Sequence, residues 1–360
     1  MLAARPLRLA SGLALAVGSF ALTGCGGSAA PSPHKPATRR AAAASTLRGI
    51  TAAPLGTLPA PVMFPAAAAL ADGRVVLLGG LTAGDTSTAS IVTLNGGSAS
   101  QSGSLPNPQH DAQAARLGSS VYVFGGGQLS DYDHILRYDP AGASATQVAT
   151  LPAPASDVAV ATAGNTAYVI GGYNGTSFLD TIVAYAPGSA PRVVAHLPAG
   201  LRYAAAAFAG QRVIIAGGTV QSGLTDQILS FDPTRGTVSP LGRLPVPLTH
   251  ASAAFVDGRV VIVGGRRQLN GDQTTAILAV DPNSGAVSIA GRLPQPLSDA
   301  GVALSGGRII VAGGDQGNGA VSSVLALTPP AYSRTPRPLR RGRGALMPRP
   351  CGSSFDAYIR

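Results

Sequence analysis

The chain has 360 residues, with 47 Gly, 29 Pro, no Trp and a hydrophobic fraction of 45%; that mixture, without a collagen period, excludes a fibrous or wholly disordered chain and points to a packed core of many short strands. The formal charge of +10 sits at the ends: residues 49–333 carry 13 Arg against 15 Asp, while residues 334–360 carry seven Arg against Asp356. A nucleic-acid reader needs a basic face within its fold, so nucleic acid is not an expected partner.

At the amino terminus, Arg5 and Arg8 precede the apolar run Leu13 to Leu22, and small residues follow. A positive start and an apolar stretch too short to span a bilayer read as a secretory signal over 1–24. Leu22-Thr23-Gly24-Cys25 resembles the lipobox of bacterial lipoproteins. That resemblance implies cleavage before Cys25, a lipid on its sulfur, and a protein held at the extracytoplasmic side of a bacterial cell membrane. Residues 25–46, rich in Ala, Pro and Ser, read as a flexible tether. With one cysteine lipidated and Cys351 the only other, no disulfide is expected in the domain.

From residue 47 to 333 the chain repeats. Glycine pairs occur at Gly79-Gly80, Gly125-Gly126, Gly171-Gly172, Gly217-Gly218, Gly264-Gly265 and Gly313-Gly314, with spacings of 46 to 49 residues. A Leu-Pro marker keeps step with them, beginning at Leu58, Leu105, Leu151, Leu197, Leu244 and Leu293. Two markers in phase over six copies, at this period, indicate a solenoid or a propeller. Each copy reads as four short strands: an Ala-rich run, a run ending on the glycine pair, a third run closed by a turn, and a weaker fourth. Asp232-Pro233-Thr234-Arg235-Gly236 and Asp281-Pro282-Asn283-Ser284-Gly285 are such turns, with Pro presetting φ and Gly supplying φ > 0.

Strand, double glycine, loop and a strand ending in Asp-Pro resemble the kelch repeat family. The resemblance implies an all-β, six-bladed β-propeller of four-stranded antiparallel blades. Two features depart from the family: the fourth strands lack its tryptophan, and the second-strand tyrosine is kept only at Tyr122 and Tyr168. The sixth copy lacks a fourth strand, whereas Pro54-Leu55-Gly56-Thr57-Leu58-Pro59 matches Pro240-Leu241-Gly242-Arg243-Leu244-Pro245. A segment near 48–57 is therefore expected to supply the outer strand of the last blade and close the ring, removing free strand edges.

The kelch resemblance places the loop entering each first strand, and the loop after each glycine pair, on one face around the channel. Six residues after each marker leucine stand Phe64, Asp111, Asp157, Tyr203, His250 and Asp299; one position earlier stand Met63, His110, Ser156, Arg202, Thr249 and Ser298. The post-glycine loops add Tyr173, Arg266, Arg267 and Asp315. These positions vary while the framework repeats, as on a recognition surface. The three aspartates are either ligand contacts or caps of nearby backbone N–H groups, and Arg266-Arg267 reads as a solvated charge pair. Asp131-Tyr132-Asp133-His134 lacks a metal-ligand spacing and reads as a polar loop.

Copper oxidases among kelch propellers use a tyrosine–cysteine crosslink, and this domain has no cysteine; no nucleophile motif or phosphate loop is present. The expectation is a monomeric, cofactor-free, non-catalytic module binding an envelope protein or glycan. The alternative is a carbohydrate-directed enzyme, epimerase- or mutarotase-like, pairing an aspartate with His250 or Arg202 on the same face. Residues 334–360, rich in Arg and Pro, read as a disordered tail.

Overall fold

A computed structural model describes Leu47 and residues 49–330 of the chain. Cys25, the tether, the Arg-rich tail and Cys351 lie outside the described residues.

The described residues contain strands and no helix. The third repeat shows the unit. Ala159–Ala163, Thr166–Ile170, Thr181–Tyr185 and Arg192–His196 form an antiparallel meander in chain order, from the inside outward. The other repeats follow the same order. The innermost strands (Ala66–Ala69, Gln113–Leu117, Ala159–Ala163, Ala205–Ala209, Ser252–Val256 and Gly301–Ser305) each pack against the next, and the last packs against the first. The ring is thus closed. Second strands such as Arg212–Ala216 and Arg259–Val263 are buried on both faces, because each blade is covered on both sides by its neighbours; this explains their unbroken apolar runs.

The core is six clusters, one between each pair of adjacent blades. Between the third and fourth blades, Ala159, Ala161, Ile170 and Ile182 meet Ala206, Val213, Ile215 and Phe231. Alanine lets inner strands converge near the axis. Each marker leucine plugs one cluster: Leu58, Leu105, Leu151, Leu197, Leu244 and Leu293 are all buried. The second repeat marker is therefore an interblade packing residue.

The blade strands fall into five hydrogen-bonded sheets, where separate four-stranded blades would make six. The outer strands of the first two repeats pair in parallel at Ser104↔Ser144, joining eight strands into one sheet. Gly103 permits this: a Cβ there would stand 1.8 Å from the Ala143 carbonyl oxygen. At the closure, Thr51–Thr57 pairs antiparallel with Ser323–Thr328 as the outer strand of the last blade, with a bulge between Pro54 and Gly56. The segment also reaches further back than expected. The N–H groups of Gly49 and Ile50 both donate to the Ala290 carbonyl, and Leu47 is buried in the cluster between the fifth and sixth blades. One short segment clasps two blades.

The two Asp-Pro turns form as read. The Asp232 carboxylate accepts the N–H groups of Thr234 and Arg235, and Gly236, at φ 65°, returns its N–H to the Asp232 carbonyl. Asp281 does the same with Asn283, Ser284 and Gly285.

The glycine pairs have a common geometry, seen at Gly171-Gly172. The Gly172 N–H donates to the Leu201 carbonyl of the next blade's entry loop at 2.8 Å, while a Cβ on Gly171 would lie 2.1 Å from that oxygen. A Cβ on Gly172 would in turn lie 2.6 Å from the Ser156 carbonyl of its own blade's entry loop. The chain threads between two carbonyls, with φ of 59° and 109°. Every pair staples one blade to the next in this way, which is why the pair recurs.

One framework position breaks the rule. Where the other repeats place Val62, Ala155, Leu201, Leu248 and Leu297, the second has Gln109, which is 0% exposed and whose amide nitrogen and oxygen both lack a partner. Unpaired buried amide groups cost about 1–3 kcal/mol. Gln109→Leu is therefore expected to raise the melting temperature by several degrees, read by differential scanning calorimetry. An unchanged or lower melting temperature would show that the amide has partners.

Candidate functional site

Six entry loops meet at the channel mouth. Phe64, Asp111, Asp157, Tyr203, His250 and Asp299 all adopt left-handed backbone, with φ between 54° and 58°. For side chains other than glycine this is uncommon and costs roughly 1–2 kcal/mol each. Five peptide hydrogen bonds run around the axis from Asp111 to Phe64 and hold this backbone. Tyr203 N–H donates to the Asp157 carbonyl, His250 to Tyr203, Asp299 to His250, Phe64 to Asp299, and Asp157 to Asp111. The link from Phe64 to Asp299 joins the first blade to the last, so the ring is locked at its centre as well as its rim.

The residues one step earlier pair with those that follow the glycine pairs: Met63 with Leu81, His110 with Gly127, Ser156 with Tyr173, Arg202 with Thr219, Thr249 with Arg266 and Ser298 with Asp315. The two loop sets thus share one face, as the resemblance implied. Of the sequence-derived site residues, Arg267 turns outward to Asp272, at 2.6 Å; the others gather at or beside the axis.

The aspartates do not cap backbone. Asp157 pairs with Arg202. Asp299 accepts from Arg266 Nη2 and Ser298 Oγ, each at 2.5 Å, and Arg266 also reaches Asp315 at 3.2 Å. Asp111 accepts from the Tyr203 hydroxyl at 3.3 Å and lies 3.5 Å from His110 Nε2. Of the four aspartates at this face only Asp315 caps, taking the Gly317 and Gly319 N–H groups. Arg266 is accordingly one of the least solvated arginines, and the solvated-pair reading holds for Arg267 alone.

Aromatic rings line the mouth. Tyr203 stacks on His250 with centroids 3.7 Å apart, and Phe64 stands 6.1–6.4 Å from His250, Tyr203 and His110. The Arg202 guanidinium lies 4.8–5.2 Å from the ring centroids of Tyr173, Tyr203 and Phe178, a cation–π clasp. Burial, with Asp157 and Asp299 nearby, pushes Asp111 well above the usual carboxylate range. Burial outweighs Arg202 in raising Asp157, and outweighs Arg266 in raising Asp299 to about 7. Burial, then the charges of Arg266 and Arg202, pushes His250 down to about 2, so its imidazole is neutral at physiological pH.

The space at the axis, bounded by Asp111, Asp157, Tyr203, His250 and Asp299, is about 40 Å³, room for about three waters. Two wider depressions flank it. One of about 570 Å³ is lined by Phe178, Arg202, Tyr203, Gln221, Arg266 and Asn270; the other, about 500 Å³, by His110, Asp111, Asp131, Tyr173 and Asn174. Sequence reasoning missed Phe178, Gln221 and Asn270, which lie in post-glycine loops of unequal length and so escape any fixed count from a repeat marker. The Asp131–His134 stretch divides: Asp131 borders the second depression, whereas His134 begins a strand and is buried.

Comparisons with known proteins agree with this architecture. Residues 154–189 match the Kelch motif family. In fold, the chain is similar to the solved structure described as "Structure of YjhT", with a TM-score of 0.67 at 17% identity, covering 77% of this chain and 98% of that one. No curated protein matches by sequence.

Proposed function

Starting from a propeller that carries a Kelch motif, we propose that this protein is a non-catalytic binding module for an envelope protein or glycan. It is held on the extracytoplasmic side of the cell membrane by a lipid on Cys25. The Leu22–Cys25 lipobox and the Ala/Pro/Ser-rich stretch before the first strand support the anchoring.

One observation carries the binding reading. The groups that acid–base chemistry would need, Asp111, Asp157, Asp299 and His250, do converge, but on a space of about 40 Å³, too small for a sugar ring. They are also largely engaged: Asp157 and Asp299 with arginines, and His250 stacked and neutral. The ligand-sized space lies on the rim, where exposed Gln221 and Asn270 and the aromatic ring of Phe178 stand beside two arginines. Aromatic walls with a few placed polar groups are the usual build of a recognition site.

The test uses the full chain purified in detergent. Solubilised envelope proteins and peptidoglycan fragments are offered, and captured species are titrated by calorimetry. The double variant Gln221→Ala, Asn270→Ala removes only exposed side chains, so it should melt like the parent and bind its ligand at least tenfold more weakly, about 1.4 kcal/mol. Equal binding by parent and variant would move recognition off this rim. Turnover of a sugar, lost on changing Asp299, would replace the reading with the enzyme.

A further inference from the structure

The charge at the axis is unbalanced. Arg202 is held by Asp157, and Arg266 is shared by Asp299 and Asp315. Asp111 has no arginine, only the Tyr203 hydroxyl and His110 Nε2 at 3.3 and 3.5 Å. The space bounded by the three carboxylates includes no arginine or lysine in its lining. A second observation is independent of that count. Asp299 is 7% exposed, and its Oδ1 has no hydrogen-bond partner although the residue borders the space. A buried carboxylate oxygen without a donor is costly, so a donor belongs there.

We infer that the channel mouth is built to take a primary ammonium group at the end of an alkyl arm, as on a lysine side chain of the partner. This rests on the binding-module reading. Size selects the arm: room for about three waters admits an ammonium and its last methylenes but not a pyranose. Geometry selects ammonium over a metal ion. Among the described residues no three His, Cys, Asp or Glu side chains are placed to hold a metal, which would need ligands converging at about 2.0–2.6 Å. An ammonium donates three hydrogen bonds at near 2.8 Å and so spans more widely set acceptors. The rings of Phe64 and Tyr203 line the same space and supply cation–π attraction to a charge arriving from the rim. This chain's one lysine, Lys35, lies outside the described residues, and the occupant proposed is a partner's arm.

The test titrates the full chain with Nα-acetyl-lysine amide, with its Nε-acetylated derivative and with glucosamine, by calorimetry and by competition against whatever ligand the rim captures. The free amine should bind saturably, and Nε-acetylation should weaken binding at least tenfold. Asp111→Asn, which keeps the shape and removes the charge, should weaken it at least tenfold with a melting temperature no lower than the parent's. If Asp111→Asn fails to fold, Asp299→Asn serves, since Arg266 then keeps Asp315. Equal binding of the free and acetylated amines, or insensitivity to both variants, would overturn the inference. Glucosamine binding as well as the lysine derivative would overturn the alkyl arm. A rim ligand that binds without competition from the amine would sink this inference while leaving the binding module standing.

Discussion

Gly171→Ala is expected to cost at least about 4 kcal/mol and to lower the melting temperature by roughly ten degrees or more. Two effects add. A Cβ at φ 59° carries left-handed strain of about 1–2 kcal/mol. That Cβ would also stand 2.1 Å from the Leu201 carbonyl oxygen, and neither backbone can yield without breaking the staple from Gly172 to that oxygen. Gly188 in the same blade separates the two effects: its φ is 82°, yet nothing lies within 4 Å of the position. Gly188→Ala should therefore pay only the strain. Calorimetry on both variants decides the matter, because similar losses would mean that the glycine pairs serve backbone conformation alone and not the joint between blades.

That joint is also the reason so much of the fold could be read from residues. The glycine pair and the marker leucine each act at every interblade contact, so the ring's symmetry writes them into the chain six times. The closing strand was legible for a similar reason: Pro54 to Pro59 copies the outer strand of another blade. The contacts of Gly49, Ile50 and Leu47 with the fifth blade were not legible, since they belong to the seam and occur once. The merging of the first two sheets through Ser104 and Ser144 likewise depends on one close approach at Gly103.

The site divides along the same line. Counting from each leucine found the six axial positions, because all six join one series of backbone hydrogen bonds around the axis and share one φ. It could not find which side chains neutralise one another. Asp157 is 45 positions from Arg202, one blade on in the same loop set, and Asp299 is 33 from Arg266, which adds a step between loops; no period reports where the side chains point. For that reason the aspartates were legible as polar groups at strand entries, but not as ion-pair partners in place of caps.

The pairing of Asp299 sets a second large effect, on stability against pH. Its carboxyl is raised to about 7 in the fold, against about 3.9 in an unfolded chain. Between those values the folded state holds a proton that the unfolded state has released. The contribution of this group to stability is therefore fully present below about pH 4 and lost as pH rises through about 7, by an amount on the order of 4 kcal/mol. His110, His134 and His250, all pushed down chiefly by burial, act in the opposite direction, so the whole profile mixes both signs. The difference between parent and Asp299→Asn isolates the aspartate. The variant leaves no stranded cation, because Arg266 retains Asp315 at 3.2 Å. Below about pH 4 the two proteins should be close in stability; by pH 8 the variant should be the more stable, with the gap opening across pH 4 to 7 in chemical denaturation. Parallel profiles would mean that Arg266 holds Asp299 ionised throughout, and that the arginine's charge outweighs the desolvation of the carboxylate it touches.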